Sequence, residues 1–150
     1  MTASQEILDR IPHRPPFLWV ETIVERTEDT IVTCARIPED LDVFTGHYPG
    51  NPIMPGVLLC EAVFQSGALL MSYMLESGKL KAAGDVPVLT RIEGAKFKRL
   101  VGPGDRIEIT VKHKETLSSV SFMKGSLRVN GKVAVQVEFS CALTTRQETE

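Results

Sequence analysis

Between Val57 and Leu75 the chain runs through 19 residues, of which 14 are apolar. That is the length of a membrane span, and no other stretch restricts the possible folds so strongly. The segment also holds Glu61, Gln65, Ser66, Gly67 and Ser72. An acidic residue in the middle of a span costs about 2.5–3.5 kcal/mol on insertion scales. The flanks are not rich in Lys or Arg, and no second stretch of this kind exists. The segment therefore reads as a long helix that is apolar nearly all round because protein surrounds it. Membrane insertion is not expected, and the rest of the chain has to supply the cover.

That remainder is rich in strands. Residues 3–9 suit a short helix with Ser4 as N-cap, and 11–16 carry three prolines and must be extended or turning. Phe17–Val24 and Thr30–Ile37 read as strands, followed by a helical turn around Leu41–Phe44. After the long helix, which Ser77-Gly78 stops, come a polar linker over 79–85 and strands over 86–100 and 106–111. Val120–Val129 and Lys132–Leu143 flank Asn130-Gly131, the strongest short hairpin signal. The residues after 143 are polar and expected to fray. Two strands, a long helix and three or four antiparallel strands predict an α+β fold, a curved antiparallel sheet wrapped around a central helix. The 150 residues fit one domain, 1–150. Such a sheet leaves an edge open, and pairing of two subunits would bury part of it.

Seventeen basic against 19 acidic side chains, a net charge of −2, argue against nucleic-acid binding. Cys34, Cys60 and Cys141 form no C-x-x-C pair, so neither a disulfide framework nor a zinc site is expected. The polar start offers no signal peptide, and a reducing cytoplasm is the expected setting.

Chemistry concentrates in residues 47–65. Tyr48-Pro49-Gly50-Asn51-Pro52-Ile53-Met54-Pro55-Gly56 holds three prolines and two glycines in nine residues. It reads as a defined loop delivering the chain into the helix. His47 stands just ahead of it, and loops held by prolines position functional groups well. Glu61 sits in the first turns of the buried helix, where burial raises a carboxyl pKa and makes a proton donor. Gln65 lies one turn on, on the same face, able to orient that carboxyl. The N–H of Gly56 or Val57, at the positive end of the helix, suits a carbonyl oxygen that becomes anionic. A base, a buried acid and an oxyanion donor fit proton abstraction next to a carbonyl with loss or gain of water. A structural polar network at a subunit interface is the competing reading of Glu61. The other histidines read differently: His113 as a solvated strand residue, His13 as a loop residue held by hydrogen bonds.

Gly46-His47-Tyr48-Pro49-Gly50-Asn51-Pro52-Ile53-Met54-Pro55-Gly56-Val57-Leu58, then Glu61-Ala62 and Gln65, resembles the signature of FabZ-type β-hydroxyacyl-acyl carrier protein dehydratases. Ile11 to Leu18, Phe97-Lys98-Arg99, Pro103-Gly104-Asp105 and Val129 to Lys132 resemble further blocks of that family, so the likeness covers about residues 7–143. It implies the hot-dog fold and a homodimer in which His47 of one subunit faces Glu61 of the other, three dimers often forming a hexamer. It implies that His47 removes a C2 proton of the acyl thioester and that Glu61 protonates the departing 3-hydroxyl. Gly56 N–H would hold the thioester carbonyl, Gln65 would orient Glu61, and the Ile53 carbonyl would steady His47. No metal or organic cofactor is implied. The substrate would ride on the phosphopantetheine arm of acyl carrier protein, received by Lys96, Lys98, Arg99 and Arg91.

Some positions depart from the family pattern. Tyr48 replaces a more usual Phe, Phe64 replaces a smaller residue, and Val88-Leu89 is aliphatic where some members carry a gating aromatic. Phe64, Val88 and Leu89 are thus the candidate determinants of the acyl tunnel. Glu rather than Asp at 61 implies dehydration without double-bond isomerisation. A hot-dog acyl thioesterase, which also places a carboxylate on the central helix, and a specialised dehydratase of a secondary acyl pathway stand as alternatives.

Overall fold

The computed structural model describes residues 2–81, 84 and 86–145. The apolar segment is helix α3, Gly56–Glu76, preceded by α1 (Gln5–Arg10) and the short α2 (Val43–Gly46). Around α3 lies one antiparallel sheet of six strands: β1 Thr22–Arg26, β2 Thr30–Arg36, β3 Val86–Phe97, β4 Arg106–Leu117, β5 Val120–Val129 and β6 Lys132–Thr144. Their order across the sheet is β1-β2-β4-β5-β6-β3. The two edges are therefore β1 and β3. Register shifts at 23/25, 89/91, 92/94, 113/115 and 127/128 mark bulges that bend the strands and let the sheet wrap. This is the hot-dog arrangement expected from the order of elements.

The helix is core on nearly every side. Val63, Leu69, Leu70 and Met71 are wholly shielded, and each such side chain contributes about 1.5–3 kcal/mol by leaving water. Its polar residues are absorbed: the Ser66 hydroxyl donates to the Ala62 carbonyl (3.1 Å) and meets Thr33 Oγ1 of β2 at 2.8 Å. α3 is thus long and apolar enough to cross a membrane and is instead the buried centre of the fold. β4 and β5 alternate as expected, with Ile107, Ile109, Val111, Met123 and Leu127 turned inward. The 130–131 turn has φ of +52° and +74°, the pair that a two-residue hairpin of the mirror-image type requires.

The first strand differs from expectation. Leu18, Trp19 and Val20 are buried but unpaired with any strand, and β1 starts only at Thr22. The reason is a competing partner. Trp19 N–H donates to Gln65 Oε1 (2.8 Å), and Gln65 Nε2 donates to the Phe17 carbonyl (3.0 Å). A helix side chain satisfies backbone groups that a neighbouring strand would otherwise have taken. β4 runs on to Leu117, past the expected 111, whereas β3 stops at Phe97, short of the expected 100, and residues 82, 83, 85 and 146–150 of the expected linker and tail lie outside the described residues. The three cysteines are buried and free.

α1 is pinned to the far end of α3. Arg10 bonds Ser72 Oγ (3.1 Å) and pairs with Glu76 (2.8 Å). Arg10 and Arg26 lie over the Tyr73 ring, 3.5 and 3.8 Å from its centroid, in cation–π geometry.

The wrapped sheet leaves no spare volume above β5. A Cβ at Gly125 would stand 2.2 Å from Val63 Cγ1, and Val63 cannot withdraw from the core. Gly125→Ala is expected to destabilise the protein by about 1–3 kcal/mol through overpacking, seen as a lower urea midpoint at unchanged slope. An unchanged midpoint would mean that helix and sheet are not this tightly apposed.

Candidate active site

His47 ends α2, and its backbone is fixed from both sides. His47 N–H donates to the Val43 carbonyl (3.0 Å), and its own carbonyl accepts from Ile53 N–H (3.0 Å). Tyr48 and Asn51 exchange two backbone bonds of 3.1 and 2.9 Å, and the Tyr48 ring stacks on the imidazole with centroids 4.1 Å apart. The ring itself is set by one contact, 2.7 Å from Nδ1 to the Ile53 carbonyl oxygen. A carbonyl only accepts, so Nδ1 carries the hydrogen. In the neutral ring Nε2 is then the free lone pair, a base with its tautomer already chosen.

Glu61 lies one and a half turns into α3, its side chain only 23% exposed. Burial holds its carboxyl above the usual glutamate range, partly offset by a hydrogen bond from Gln65. Gln65 is fully buried and its orientation is decided by its surroundings. Since Trp19 N–H must be accepted, Oε1 faces Trp19, and Nε2 is left to donate to Glu61 Oε1 at 3.0 Å. Oε1 of Glu61 is therefore the accepting oxygen, which leaves Oε2 as the position for a proton when the carboxyl is neutral.

At the head of α3 the Pro55 carbonyl accepts from Leu58 and Leu59 N–H (3.0 and 3.2 Å). The N–H groups of Gly56 and Val57 precede any helical acceptor. Gly56 has no Cβ because Phe97 of β3 occupies the place; one built there would be 2.8 Å from Phe97 Cε1. The helix terminus, the His47 loop and the end of β3 thus meet at one place, with Met54 N–H bonded to the Val101 carbonyl at 2.7 Å.

No hydrogen bond or ion pair joins His47 to Glu61 within one chain among the described residues. The neighbour of Glu61 is instead His13, whose Nε2 lies 3.7 Å from Glu61 Oε1. The sequence pattern did not single out His13 for this place, because only the folded path of residues 11–20 lays it against α3. His113 also differs from expectation: it is partly buried, with Nε2 2.8 Å from Thr116 Oγ1.

Residues 61, 65, 68, 72 and 75 follow one stripe of α3. Beyond Glu61 that stripe borders a cavity of about 940 Å³ between α1, α3 and the start of β3, lined in part by Leu8, Ile11, Pro12, Ala68, Leu75 and Val86. Of the three expected tunnel residues, Phe64 is turned away from it into the core, tilted against Phe139 with centroids 4.8 Å apart. Val88 and Leu89 lie on the open face of β3, just past Val86 and Pro87 of the cavity wall. Lys96, Lys98, Arg99 and Arg91 are all exposed. Lys96 and Lys98 flank Phe97, whereas Arg91 pairs with Glu93 at 3.3 Å.

A family model described as a FabA-like domain matches residues 11–138. A relative from Caulobacter sp. (strain K31), 3-hydroxyacyl-[acyl-carrier-protein] dehydratase FabZ, is 41% identical over 90% of this chain and 82% of its own. One of the same name from Anaeromyxobacter dehalogenans (strain 2CP-C) is 37% identical over 94% and 90%. Among solved structures, the dehydratase heterocomplex ApeI:P from Xenorhabdus doucetiae superposes with a TM-score of 0.77 at 13% identity, covering 93% of this chain and 91% of that one. A hypothetical thioesterase with coenzyme A from Streptococcus pneumoniae TIGR4 reaches 0.62 at 12%, covering 96% and 95%; at such identities the likeness is one of fold. The chain belongs to the FabA-like family and, within it, to the FabZ-type dehydratases.

The raised carboxyl of Glu61 has a consequence for stability. Below about pH 4, near the ordinary glutamate value, the group is protonated in folded and unfolded chains alike. As pH rises through its higher folded value, ionisation penalises the folded state alone. Glu61→Gln is therefore expected to gain stability over wild type at pH 8 and to lose that advantage at pH 4, read from urea midpoints. A gap of the same size at both values would show that Glu61 ionises freely.

Proposed function

We propose that the protein removes water from (3R)-3-hydroxyacyl thioesters carried on acyl carrier protein, giving trans-2-enoyl products in fatty acid biosynthesis. The observation that carries the reading is the opposite setting of two groups: His47 with its Nε2 lone pair left free by the Nδ1–Ile53 bond, and Glu61 with its carboxyl pKa raised by burial. His47 Nε2 takes a proton from C2, and the electron pair forms the C2–C3 double bond as the C3–O bond breaks. Glu61 Oε2 supplies the proton that turns the leaving hydroxyl into water. Negative charge gathering on the thioester oxygen is met by Gly56 N–H at the positive end of a 21-residue helix. The proton held by His47 and the one lost by Glu61 exchange through solvent before the next turnover. The reaction asks for no metal or organic cofactor.

A shared site is favoured by β3. This edge strand exposes Val88, Leu89, Ile92 and Phe97, with Val57 at 74% and Leu100 at 75% beside it, an apolar edge that calls for a partner. Phe97 adjoins Gly56 at one end of β3. Leu89, towards the other end, pairs with Cys141 of β6, which feels the charge of Glu61. Antiparallel pairing of two β3 edges exchanges these ends and brings the partner's His47 toward Glu61. The acyl chain then runs along the α3 stripe into the 940 Å³ cavity, within the range of ~300–1,000 Å³ usual for small-molecule sites. Lys96, Lys98 and Arg99, beside the residue that covers the helix terminus, suit an acidic carrier protein. Soluble, cytoplasmic action fits a helix spent on the core.

Hydration of crotonyl thioester, the reverse reaction, is the direct test. His47→Ala and Glu61→Gln are each expected to lower kcat/KM by about 10²–10⁴-fold. After subunit exchange, an equal mixture of the two should recover about a quarter of wild-type activity, since half the dimers are mixed and one of their two sites is intact. Release of free thiol without hydration in the wild type would point to a thioesterase and overturn the reading.

A further inference from the structure

We propose that His13 is a positioning residue for Glu61: its Nε2–H is directed at the same carboxyl oxygen that Gln65 holds, leaving Oε2 free to deliver the proton. The inference rests on Glu61 being the acid of the proposed reaction.

Two groups converge on Glu61 Oε1, Gln65 Nε2 at 3.0 Å and His13 Nε2 at 3.7 Å. The second distance is that of a contact rather than a formed bond, and catalytic hydrogen bonds in unliganded sites commonly tighten once substrate is present. Oε2 has no protein partner among the described residues. The tautomer of His13 follows from its other nitrogen. Nδ1 is buried with no hydrogen-bond partner among the described residues, and a buried N–H without an acceptor is the rarer and costlier orphan. The hydrogen therefore sits on Nε2, facing Glu61.

The backbone that carries His13 is held for this purpose. The Arg14 guanidinium donates to the carbonyls of Leu8 (2.8 Å), Ile11 (2.8 Å) and His13 (2.6 Å), closing the segment on itself next to α3. Phe17 and Trp19 tie its other end to Gln65. His13 thus approaches Glu61 from a framework anchored on both sides, with its side chain only 21% exposed.

The charge state matters as much as the place. An imidazolium beside Glu61 would draw its pKa down and spoil it as an acid. Burial first, and the Arg14 cation second, push the His13 ring below the usual histidine range, so it stands neutral where Glu61 must stay protonated. The other titratable groups facing the pair agree. Cys141 on β6 has its thiol pushed up to about 12 by burial and by Glu61, and so it adds no charge. Arg14 spends its guanidinium on three carbonyls. The partner's His47 is the remaining group under the shared-site reading.

Three substitutions in the full-length protein test this, using the pH profile of kcat/KM for crotonyl thioester hydration and a ¹³C titration of the Glu61 carboxyl, assigned with Glu61→Gln. His13→Leu removes a donor that favours the ionised carboxylate, so the carboxyl titration and the alkaline limb should both move up. The kcat should fall about 10-fold or more with KM little changed, as expected for lost orientation. His13→Arg places a cation at the same oxygen and should move both titrations down. His13→Gln, a neutral donor of similar reach, should restore most of the turnover and leave the limb near wild type. Opposite shifts for Leu and Arg support the assignment even if one variant folds poorly, because the ¹³C titration needs only folded protein. Unmoved Glu61 titrations in folded His13→Arg overturn it while the dehydratase reading stands. A wild type that fails to hydrate the thioester overturns the dehydratase reading instead.

Discussion

The geometry of this protein depends on what Gln65 does with three hydrogen bonds. A fully buried amide in the middle of an apolar helix is costly unless every donor and acceptor is met. Here each is met by something that matters: Trp19 N–H and the Phe17 carbonyl on one side, Glu61 Oε1 on the other. The same side chain therefore holds the N-terminal segment against α3, displaces that segment from the sheet, and determines which oxygen of Glu61 accepts. Losing it would leave a backbone N–H, a carbonyl and a carboxyl unsatisfied together. The helix, the segment at 11–20 and the acid form one network, and such networks are worth more intact than the sum of their parts.

The proposed acid and base are prepared by different means. Glu61 is conditioned by its surroundings: burial in the helix lifts its pKa, and Gln65 limits how it can turn. His47 is conditioned by the chain around it. Its loop closes through backbone bonds between His47 and Ile53 and between Tyr48 and Asn51, and the Nδ1 contact with the Ile53 carbonyl selects the tautomer. A loop of prolines and glycines is suited to this, because few other conformations compete with the one that is needed. Gly56 joins the two, since the helix terminus can approach β3 only where no Cβ stands between the backbone and Phe97.

The edge at β3 is the most apolar exposed part of the sheet among the described residues. Val57, Phe97 and Leu100 would be poor surface residues on a solitary subunit, and they cluster near the Gly56 N–H and the exposed Lys96, Lys98 and Arg99. The proposed interface there would account for the separation of His47 from Glu61 within the chain.

Much was legible in the sequence because it is local or periodic. The length and apolarity of 57–75, the alternation of Ile107, Ile109 and Val111, and Asn130-Gly131 report helix, strand and turn through short-range sterics and burial. Glu61 with Gln65 one turn later, and His47 ahead of a proline-held loop, were visible for the same reason: helical spacing and chain stiffness act over a few residues. Contacts across long separations were not. The strand expected at 17–21 gives way to the Gln65 amide, 46 residues from Trp19. Phe64 belongs to the core because Phe139 of β6 arrives there, and His13 reaches Glu61 only because three carbonyls gather on Arg14 and lay the segment along α3. Side-chain type and spacing settled the elements and the chemical groups; only the folded path, which sets how distant backbone and side-chain atoms satisfy one another, decided which groups meet.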